Sequence, residues 1–520
     1  MAGWDWAWTM DLLARWAALN PSHQVLFDGR QGRWFTYLEL NERANRVANY
    51  LRGGLGLSKG DRVAVLARNG VEYLDLFFGT AKAGLILAPL NLRLSPAELN
   101  GVLAQIGPRV LFYDADLAPT AVALDPGCAA SRVRMGHGGN GGDAYDDPDY
   151  ERDVLGRSSA GWAGGIPLAW EDPHLLLGTG GTTGLPKAAL ISHRATFWNA
   201  LNEVLSWGIT ANDAAPNLLP LFHTGGWHLL TLPLILAGGR VYLNPGFDPG
   251  AILRLVESQS CTFLFGAGTM FQMMEETPDF KRADLSSLRV AMAGAAPCPR
   301  RIMEQFWEKG VKFVKGYGLT EGGPNNLFMP WELLSQPQIQ EKWESVGVPF
   351  IYTPVRIVDN QGRDVAANEV GELIFSGPQI FSGYWDNPRA NAETLIDGWV
   401  HTGDLARVDA DGYYYIVDRK KDMFISGGEN VYPIEVESAI NSHPLVEESA
   451  VIGVPDQVWG EVGKVFVVPR PGASLTPEEV IAHCRHLLGR YKVPKHVVLV
   501  DDLPKSSVGK ILKRELRTWG

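Results

Sequence analysis

Gly178-Thr179-Gly180-Gly181-Thr182-Thr183-Gly184-Leu185-Pro186-Lys187 follows the apolar run His174–Leu177. The run reads as a strand, which makes the Gly/Thr segment a loop at a strand end. Small residues let consecutive backbone N–H groups approach an anion closely, and the threonine hydroxyls add donors. Lys187 supplies a point charge suited to phosphate oxygens. The mononucleotide P-loop needs Gly directly before its Lys and Ser or Thr directly after, whereas Pro186 and Ala188 stand here. An ordinary Gly/Thr turn is the alternative, and ten residues of this composition ending in Pro-Lys make it the weaker one.

Outward from the loop, Arg62–Leu66 reads as a strand, Tyr73–Ala83 as a helix and Leu85–Leu90 as a second buried run. This is the βαβ rhythm of a parallel sheet. It resumes from His174 to Gly318, with short strands at Thr262–Gly266, Arg289–Ala293 and Lys312–Gly316. The Gly- and Asp-rich Gly136–Asp147 is an exposed loop within this part rather than a domain boundary. From about Ser345 to Asp418 the texture changes. Val355–Asp359, Glu372–Ser376 and Tyr413–Asp418, punctuated by Gly and Pro, predict a small antiparallel barrel or sheet. The charge run Asp418–Asp422 then stands where a linker is wanted, with a new α+β unit after it.

A length of 520 residues exceeds what one hydrophobic core serves, so at least two domains are expected. An apolar content of 46% against 20% charged suits a packed enzyme. No apolar run reaches the length of a membrane span. The Trp-rich N-terminus is interrupted by Asp5 and Asp11 and lacks a basic lead, a poor signal peptide, so a cytoplasmic location is expected. Cys128, Cys261, Cys298 and Cys484 are scattered without a Cys-x-x-Cys pair, which argues for free thiols over zinc or disulfides. A formal net charge of −11 argues against nucleic acid as a partner. From Arg419 onward 14 basic and 13 acidic residues nearly balance, so the acid excess lies in the larger part. An anionic ligand must therefore find its positive charge in a few specific segments.

Three further motifs carry chemistry. In Lys315-Gly316-Tyr317-Gly318-Leu319-Thr320-Glu321, a Tyr between glycines can stack on a purine. Thr320 can donate to phosphate there, and Glu321 is a hard oxygen ligand suited to Mg2+; a β-turn with a helix N-cap at Thr320 is the even alternative. Thr402-Gly403-Asp404-Leu405 places a carboxylate after the strand-like Gly398–His401, able to accept both hydroxyls of a ribose, although an Asp in a Gly turn is usually structural. Pro504-Lys505-Ser506-Ser507-Val508-Gly509-Lys510-Ile511 puts a Lys in a Gly-containing loop, a position that by itself reads as solvated surface.

In this order and spacing the four motifs resemble those of the adenylate-forming superfamily: acyl-CoA synthetases, luciferases and peptide-synthetase adenylation domains. The resemblance runs from about Phe35 to Arg514. It implies an α/β fold with a large N-terminal domain over 1–418, made of two αβ subdomains plus a small β-barrel at about 345–418. A smaller, mobile α+β domain over 419–520 would carry the catalytic lysine. It also implies roles. The loop Thr179, Gly180, Gly181, Thr182, Thr183, Gly184 and Lys187 would hold the ATP phosphates. Gly294, Ala295, Ala296 and Tyr317, followed by Gly318 and Thr320, would border the nucleotide. Glu321 and Thr179 would hold Mg2+, Asp404 and Arg419 the ribose, and Lys510 the α-phosphate and the substrate carboxylate. Catalysis would fall to Lys510, Lys187 and Glu321, the hinge to Lys421, and the pantetheine of CoA to Gly427 and Gly428 in Ser426-Gly427-Gly428-Glu429-Asn430. Gly180 departs from the family pattern by lacking a hydroxyl, and Ala188 replaces a usual Gly.

The expected acceptor is CoA, because Gly427-Gly428 and Asp456-Gln457-Val458-Trp459-Gly460-Glu461 resemble acyl-CoA synthetases and the chain runs six residues past Arg514. For the acid, Leu219-Pro220-Leu221-Phe222-His223-Thr224-Gly225-Gly226-Trp227 places His223 at the acyl site. Trp227 resembles the aromatic gate of long-chain enzymes, with plain core packing as its alternative. Leu229–Leu236 is apolar apart from Thr231. The expectation is a medium- to long-chain fatty acid, with an aromatic acid of cinnamate or benzoate type next. A non-catalytic nucleotide-binding protein and a luciferase-like oxygenase are the readings from other classes. Expected partners are a carboxylic acid, ATP and CoA, with at most peripheral membrane contact and a homodimer allowed.

Overall fold

In a computed structural model, which describes residues 11–125, 127–136, 147–161, 167–179, 186–294, 298–505 and 511–519, the run Arg62–Leu66 is an interior strand of a six-stranded sheet. The order is Ser131–Met135, Val110–Asp114, Arg62–Leu66, Ile86–Pro89, Pro173–Thr179 and Lys187–Ser192. All neighbours are parallel except the last pair, a hairpin. Val63, Ala64, Val65 and Leu66 are all buried, as strands covered on both faces require. The helices Val71–Ala83 and Pro96–Ile106 make the crossovers, so the βαβ reading holds.

A second parallel set, Phe263–Gly266, Val290–Ala293 and Phe313–Tyr317, continues antiparallel through Leu327–Phe328 and Val348–Pro349. Beside it lies a four-stranded sheet ordered Arg33–Thr36, Gln24–Asp28, Arg240–Leu243 and Ala214–Asn217. The Thr262 N–H donates to the Ala214 carbonyl at 2.8 Å between the two. One apolar core serves both αβ units and contains Phe77, Trp227, Phe263 and Phe306.

The texture change after residue 345 is a fourth, antiparallel sheet: Val355–Val358, Gly371–Phe375, Trp399–Val408 and Leu395–Ile396, with Tyr414–Arg419 paired on Trp399–Val408. Ile357, Leu373, Phe375 and Ala406 form its own small core. Here one expectation is corrected. Asp404 does not follow a short strand at 398–401. Gly403 takes φ +69° and lets the strand run on to Val408, so Asp404 stands within it, directly opposite Arg419. The segment Gly136–Asp147 lies, apart from its two end residues, outside the described residues.

The C-terminal sheet is ordered Glu429–Val431, Phe424–Ser426, Gly460–Pro469 and Val446–Asp456, with His496–Leu499 parallel to Gly460–Pro469. It has two small apolar cores, one of them under the helices Pro433–Asn441 and Pro477–Leu487. The Gln272 side chain of the larger part donates to Glu447 of this unit. Among the described residues no helix is long and apolar enough to cross a membrane, and the four cysteines are free thiols.

Candidate active site

Thr179 is the last residue of its strand and pairs directly with Lys187 across the hairpin. The Thr179 hydroxyl donates to the Lys187 carbonyl at 3.3 Å. The hairpin thus fixes both ends of the Gly/Thr loop; Gly180, Gly181, Thr182, Thr183 and Gly184 lie outside the described residues. The Lys187 ammonium stands 4.8 Å over the Tyr384 ring. The Tyr384 hydroxyl in turn donates to Glu321 Oε1 at 2.6 Å. A single buried tyrosine therefore joins the phosphate lysine to the carboxylate expected at the metal. Burial, and then the Glu321 charge, pushes its phenol above the usual range, so it remains a donor.

Tyr384 is held by backbone. Ala189 and Tyr384 form an antiparallel bridge. The Leu190 N–H donates to Gly383 and the Trp385 N–H to Ala188, both at 2.8 Å, and the Phe381 N–H donates to the Glu321 carbonyl at 3.0 Å. Nothing in Phe381-Ser382-Gly383-Tyr384-Trp385 carries charge, so residue patterns alone do not single it out. Only the pairing of this segment along Lys187–Ser192 reveals the residue.

The strand Phe313–Tyr317 delivers Tyr317, and the chain then turns at Gly318. A Cβ at Gly318 would lie 1.3 Å from the Pro324 carbonyl oxygen, so no side chain fits where these backbones touch. Thr320–Gly322 is a single 3-10 turn with Leu319 in the capping position; the helix N-cap alternative for Thr320 does not form. The Tyr317 hydroxyl donates to Asp404 Oδ2, and Arg419 Nε stands 3.1 Å from Oδ1. That approach is not aligned as a hydrogen bond, and Oδ1 is a buried acceptor without one. An open carboxylate oxygen flanked by a phenol and a guanidinium suits vicinal hydroxyls such as those of a ribose. Burial first, and the Asp404 charge second, push the Tyr317 phenol well up, keeping it a donor.

Gly294 directly follows the strand Val290–Ala293, and a Cβ there would meet the Phe265 ring at 2.7 Å. Ala295 and Ala296 lie outside the described residues. Thr179, Gly294 and Tyr317 all stand at the carboxyl ends of strands, where α/β sheets place ligands. Among the described residues no group of three His, Cys, Asp or Glu could hold a metal by itself. Glu321 is buried, Tyr384 bonds its Oε1, and no described residue bonds Oε2. One carboxylate with a nearby hydroxyl fits a cation such as Mg2+ that arrives with phosphate oxygens and keeps its waters.

On the acyl side, His223 caps the short helix Thr224–His228, its Nδ1 accepting the Gly225 N–H at 3.1 Å. Burial pulls this imidazole down to about 4, so it is neutral at physiological pH. Trp227 takes the second of its two readings. It is fully buried, its ring stacks on Phe77 at 4.5 Å and meets Tyr73 edge-on, and its indole N–H donates to the Leu221 carbonyl at 2.5 Å. It packs the core instead of standing as a gate. The apolar Leu229–Leu236 likewise belongs to that core, largely through the helix Thr231–Ala237.

Gly427 and Gly428, at φ +62° and +87°, are the two-residue turn of the hairpin Phe424–Ser426/Glu429–Val431. Such a turn needs positive φ at both positions. The Gly427 N–H donates to the Trp459 carbonyl at 2.8 Å, and the Trp459 ring lies where a Cβ on Gly427 would stand. The two segments assigned to CoA therefore form one surface. Lys421 is exposed in the turn between Tyr414–Arg419 and Phe424–Ser426. Lys510 lies outside the described residues; on either side of it Lys505 and Ile511 bridge to each other.

Residues 13–385 match the family model of the AMP-binding enzymes, and residues 435–510 match that of the AMP-binding enzyme C-terminal domain. Feruloyl-CoA synthase of an Amycolatopsis species is 42% identical over 97% of both chains. A long-chain-fatty-acid–CoA ligase of Yersinia pestis is 37% identical over 96% of this chain and 92% of its own. Among solved structures, ATP-bound MatB from Rhodopseudomonas palustris superposes with a TM-score of 0.88 at 31% identity, covering 98% of each chain. The apo form of the same protein gives 0.77.

Proposed function

The chain belongs to the AMP-binding enzyme family and is an acid–thiol ligase, and from that premise we propose that it converts an aromatic carboxylic acid to its CoA thioester. The observation that carries the ligase chemistry is the Lys187–Tyr384–Glu321 link beside the Tyr317–Asp404–Arg419 cluster. That arrangement would supply a cation for phosphate, a carboxylate suited to a metal and an acceptor suited to a ribose, all near strand ends.

A carboxylate resists thiol attack because oxide is a poor leaving group. Attack of a carboxylate oxygen on the α-phosphorus of ATP expels pyrophosphate and makes that oxygen part of an acyl-adenylate. The thiol then adds to the acyl carbon, AMP leaves with the oxygen, and the thiol proton passes to solvent. The first transition state is a crowded polyanion, so the protein's part is positioning and charge. Lys187 meets phosphate oxygens at the mouth of the hairpin. Glu321, steadied by Tyr384, would hold Mg2+ with Thr179; the cation's chemistry when bound is to neutralise phosphate charge. Asp404 and Arg419 hold the ribose, and Lys510 is assigned the α-phosphate and the carboxylate. Neutral His223 borders the acid without adding a charge that would have to be desolvated. The closer superposition on the ATP-bound than on the apo form of one neighbour supports a C-terminal domain set for the adenylation step.

Two observations support an aromatic acid over the fatty acid favoured by motif reading. Trp227 is fully buried against Phe77 and Tyr73, which favours reading it as core packing over the gate of a long acyl tunnel. The relative at 42% identity is a feruloyl-CoA synthase. A fatty acid is the second reading, favoured by the relative at 37%. CoA-dependent AMP release should be measured across cinnamate, hydroxycinnamate, benzoate, octanoate and palmitate. The arylalkenoic acids are expected to give the highest kcat/KM, by about tenfold or more. A palmitate preference would overturn the aromatic reading and leave the ligase assignment standing.

A further inference from the structure

The helix His193–Ser206 carries Glu203 into the interior, where the side chain is fully buried. Apart from the approach of the Asn325 amide, neither carboxyl oxygen has a hydrogen-bond partner among the described residues. The obvious neighbours are already committed. Asn199, one turn earlier on the same helix, donates to the His228 carbonyl at 2.9 Å. Asn325, whose amide lies against the Glu203 carboxyl, donates to the same carbonyl at 2.9 Å and to Asn199 Oδ1 at 3.3 Å. His228 points Nδ1 at the Thr224 hydroxyl, 3.1 Å away, and its Nε2 is buried with no partner. The Glu203 carboxyl is thus held out of bulk water without a full set of partners among the described residues, an arrangement that native interiors rarely keep without an occupant.

The position in the fold says what the occupant is attached to. His223 and His228 bracket one five-residue helix, about 8 Å apart along its axis. Asn325 follows Glu321 by four positions in the chain leaving the 3-10 turn. Two separate segments therefore run from the reacting end of the site to the Glu203 cluster. An arylalkenoic acid bound with its carboxylate at the reacting end would carry its ring towards that cluster.

We propose that Glu203, beside Asn325, is the specificity determinant for a hydroxyl group on the aromatic ring of the acid; this rests on the aromatic-acid reading above. Burial pushes the Glu203 carboxyl well above the usual carboxylate range, and a protonated carboxyl both donates and accepts. A phenolic hydroxyl is its complement in both respects, whereas an ammonium would require the charged form. An unsubstituted ring leaves these groups unpaired, which is how a polar pocket rejects an analogue lacking the hydroxyl. A buried water is the other occupant such atoms admit.

The test uses the full-length protein and compares kcat/KM for 4-hydroxycinnamate and cinnamate in wild type, Glu203→Leu and Glu203→Gln, with melting curves as a check on folding. Wild type should prefer the hydroxylated acid by about tenfold or more. Glu203→Leu should collapse that ratio towards one, chiefly through KM for the hydroxylated acid. Glu203→Gln, which keeps volume and hydrogen bonding, should retain an intermediate ratio even if the Leu variant folds poorly. A wild-type ratio near one, or a ratio unchanged in both variants, would overturn the proposal and assign the cluster to water. Activity on fatty acids alone would instead overturn the aromatic-acid reading and this inference with it.

Discussion

Lys187, Tyr384 and Glu321 come from three separate stretches of sequence and meet through one ring and one hydrogen bond. Lys187 and Glu321 stand out because charged residues in Gly-rich strand ends have few other uses. Tyr384 has no such signature; its role follows from a backbone bridge to Ala189 that residue patterns do not encode. Glu203 was hidden for the opposite reason, since a Glu in a helix reads as solvated surface until its burial is seen. Trp227 could be read as gate or core, and its stacking on Phe77 decides for core. The Tyr384–Glu321 bond makes a prediction at this scale. Tyr384→Phe keeps the ring beneath Lys187 but removes a hydrogen bond to a charged group, a contact of about 1.5–3 kcal/mol. Adenylate formation should slow by about tenfold or more, with a raised Mg2+ requirement. Unchanged kinetics at limiting Mg2+ would show that the bond does not steady Glu321.

At the scale of elements, the parallel strands were legible because continuous apolar runs bounded by glycine have one economical reading, a sheet covered on both faces. The junction between the domains was less so. The charge run Asp418–Asp422 suggested an open linker, yet Asp418 is buried at the end of Tyr414–Arg419. Its carboxylate accepts the Arg419 N–H at 2.6 Å and the Ile434 N–H at 2.8 Å. Ile434 is in the first turn of Pro433–Asn441, so one side chain ties the last strand of the larger part to the first helix of the C-terminal unit. Burial, partly offset by Lys513, raises this carboxyl from 3.8 to about 6. Because the folded value lies above the unfolded one, the proton favours the fold. This contribution is complete below about pH 4 and is lost as pH rises through about 6. A hundredfold difference in proton affinity bounds it at about 3 kcal/mol. Wild type should therefore lose stability relative to Asp418→Asn between about pH 4 and 6. Melting curves that stay parallel across that range would show that Asp418 does not titrate there.

At the scale of the whole molecule, the motif order announced two αβ units, a small antiparallel unit and a C-terminal unit. It could not show that a single apolar core runs through both αβ units. That shared core holds the strand ends carrying Thr179, Gly294 and Tyr317 in a fixed relation. The C-terminal unit meets the larger part through polar contacts such as Gln272 with Glu447, the kind of interface that can re-form in another orientation. A hinge at Lys421 would let Lys510 serve adenylation and the Gly427–Gly428 surface serve the thiol step in turn. Carboxylate-dependent exchange of labelled pyrophosphate into ATP tests the central claim most directly, measured beside thioester formation from supplied acyl-AMP and CoA. Wild type should exchange with an aromatic acid, and Lys510→Ala should lose exchange while still converting supplied acyl-AMP to thioester. An absence of exchange with every acid tried would contradict the claim and leave a nucleotide-binding protein built on this fold.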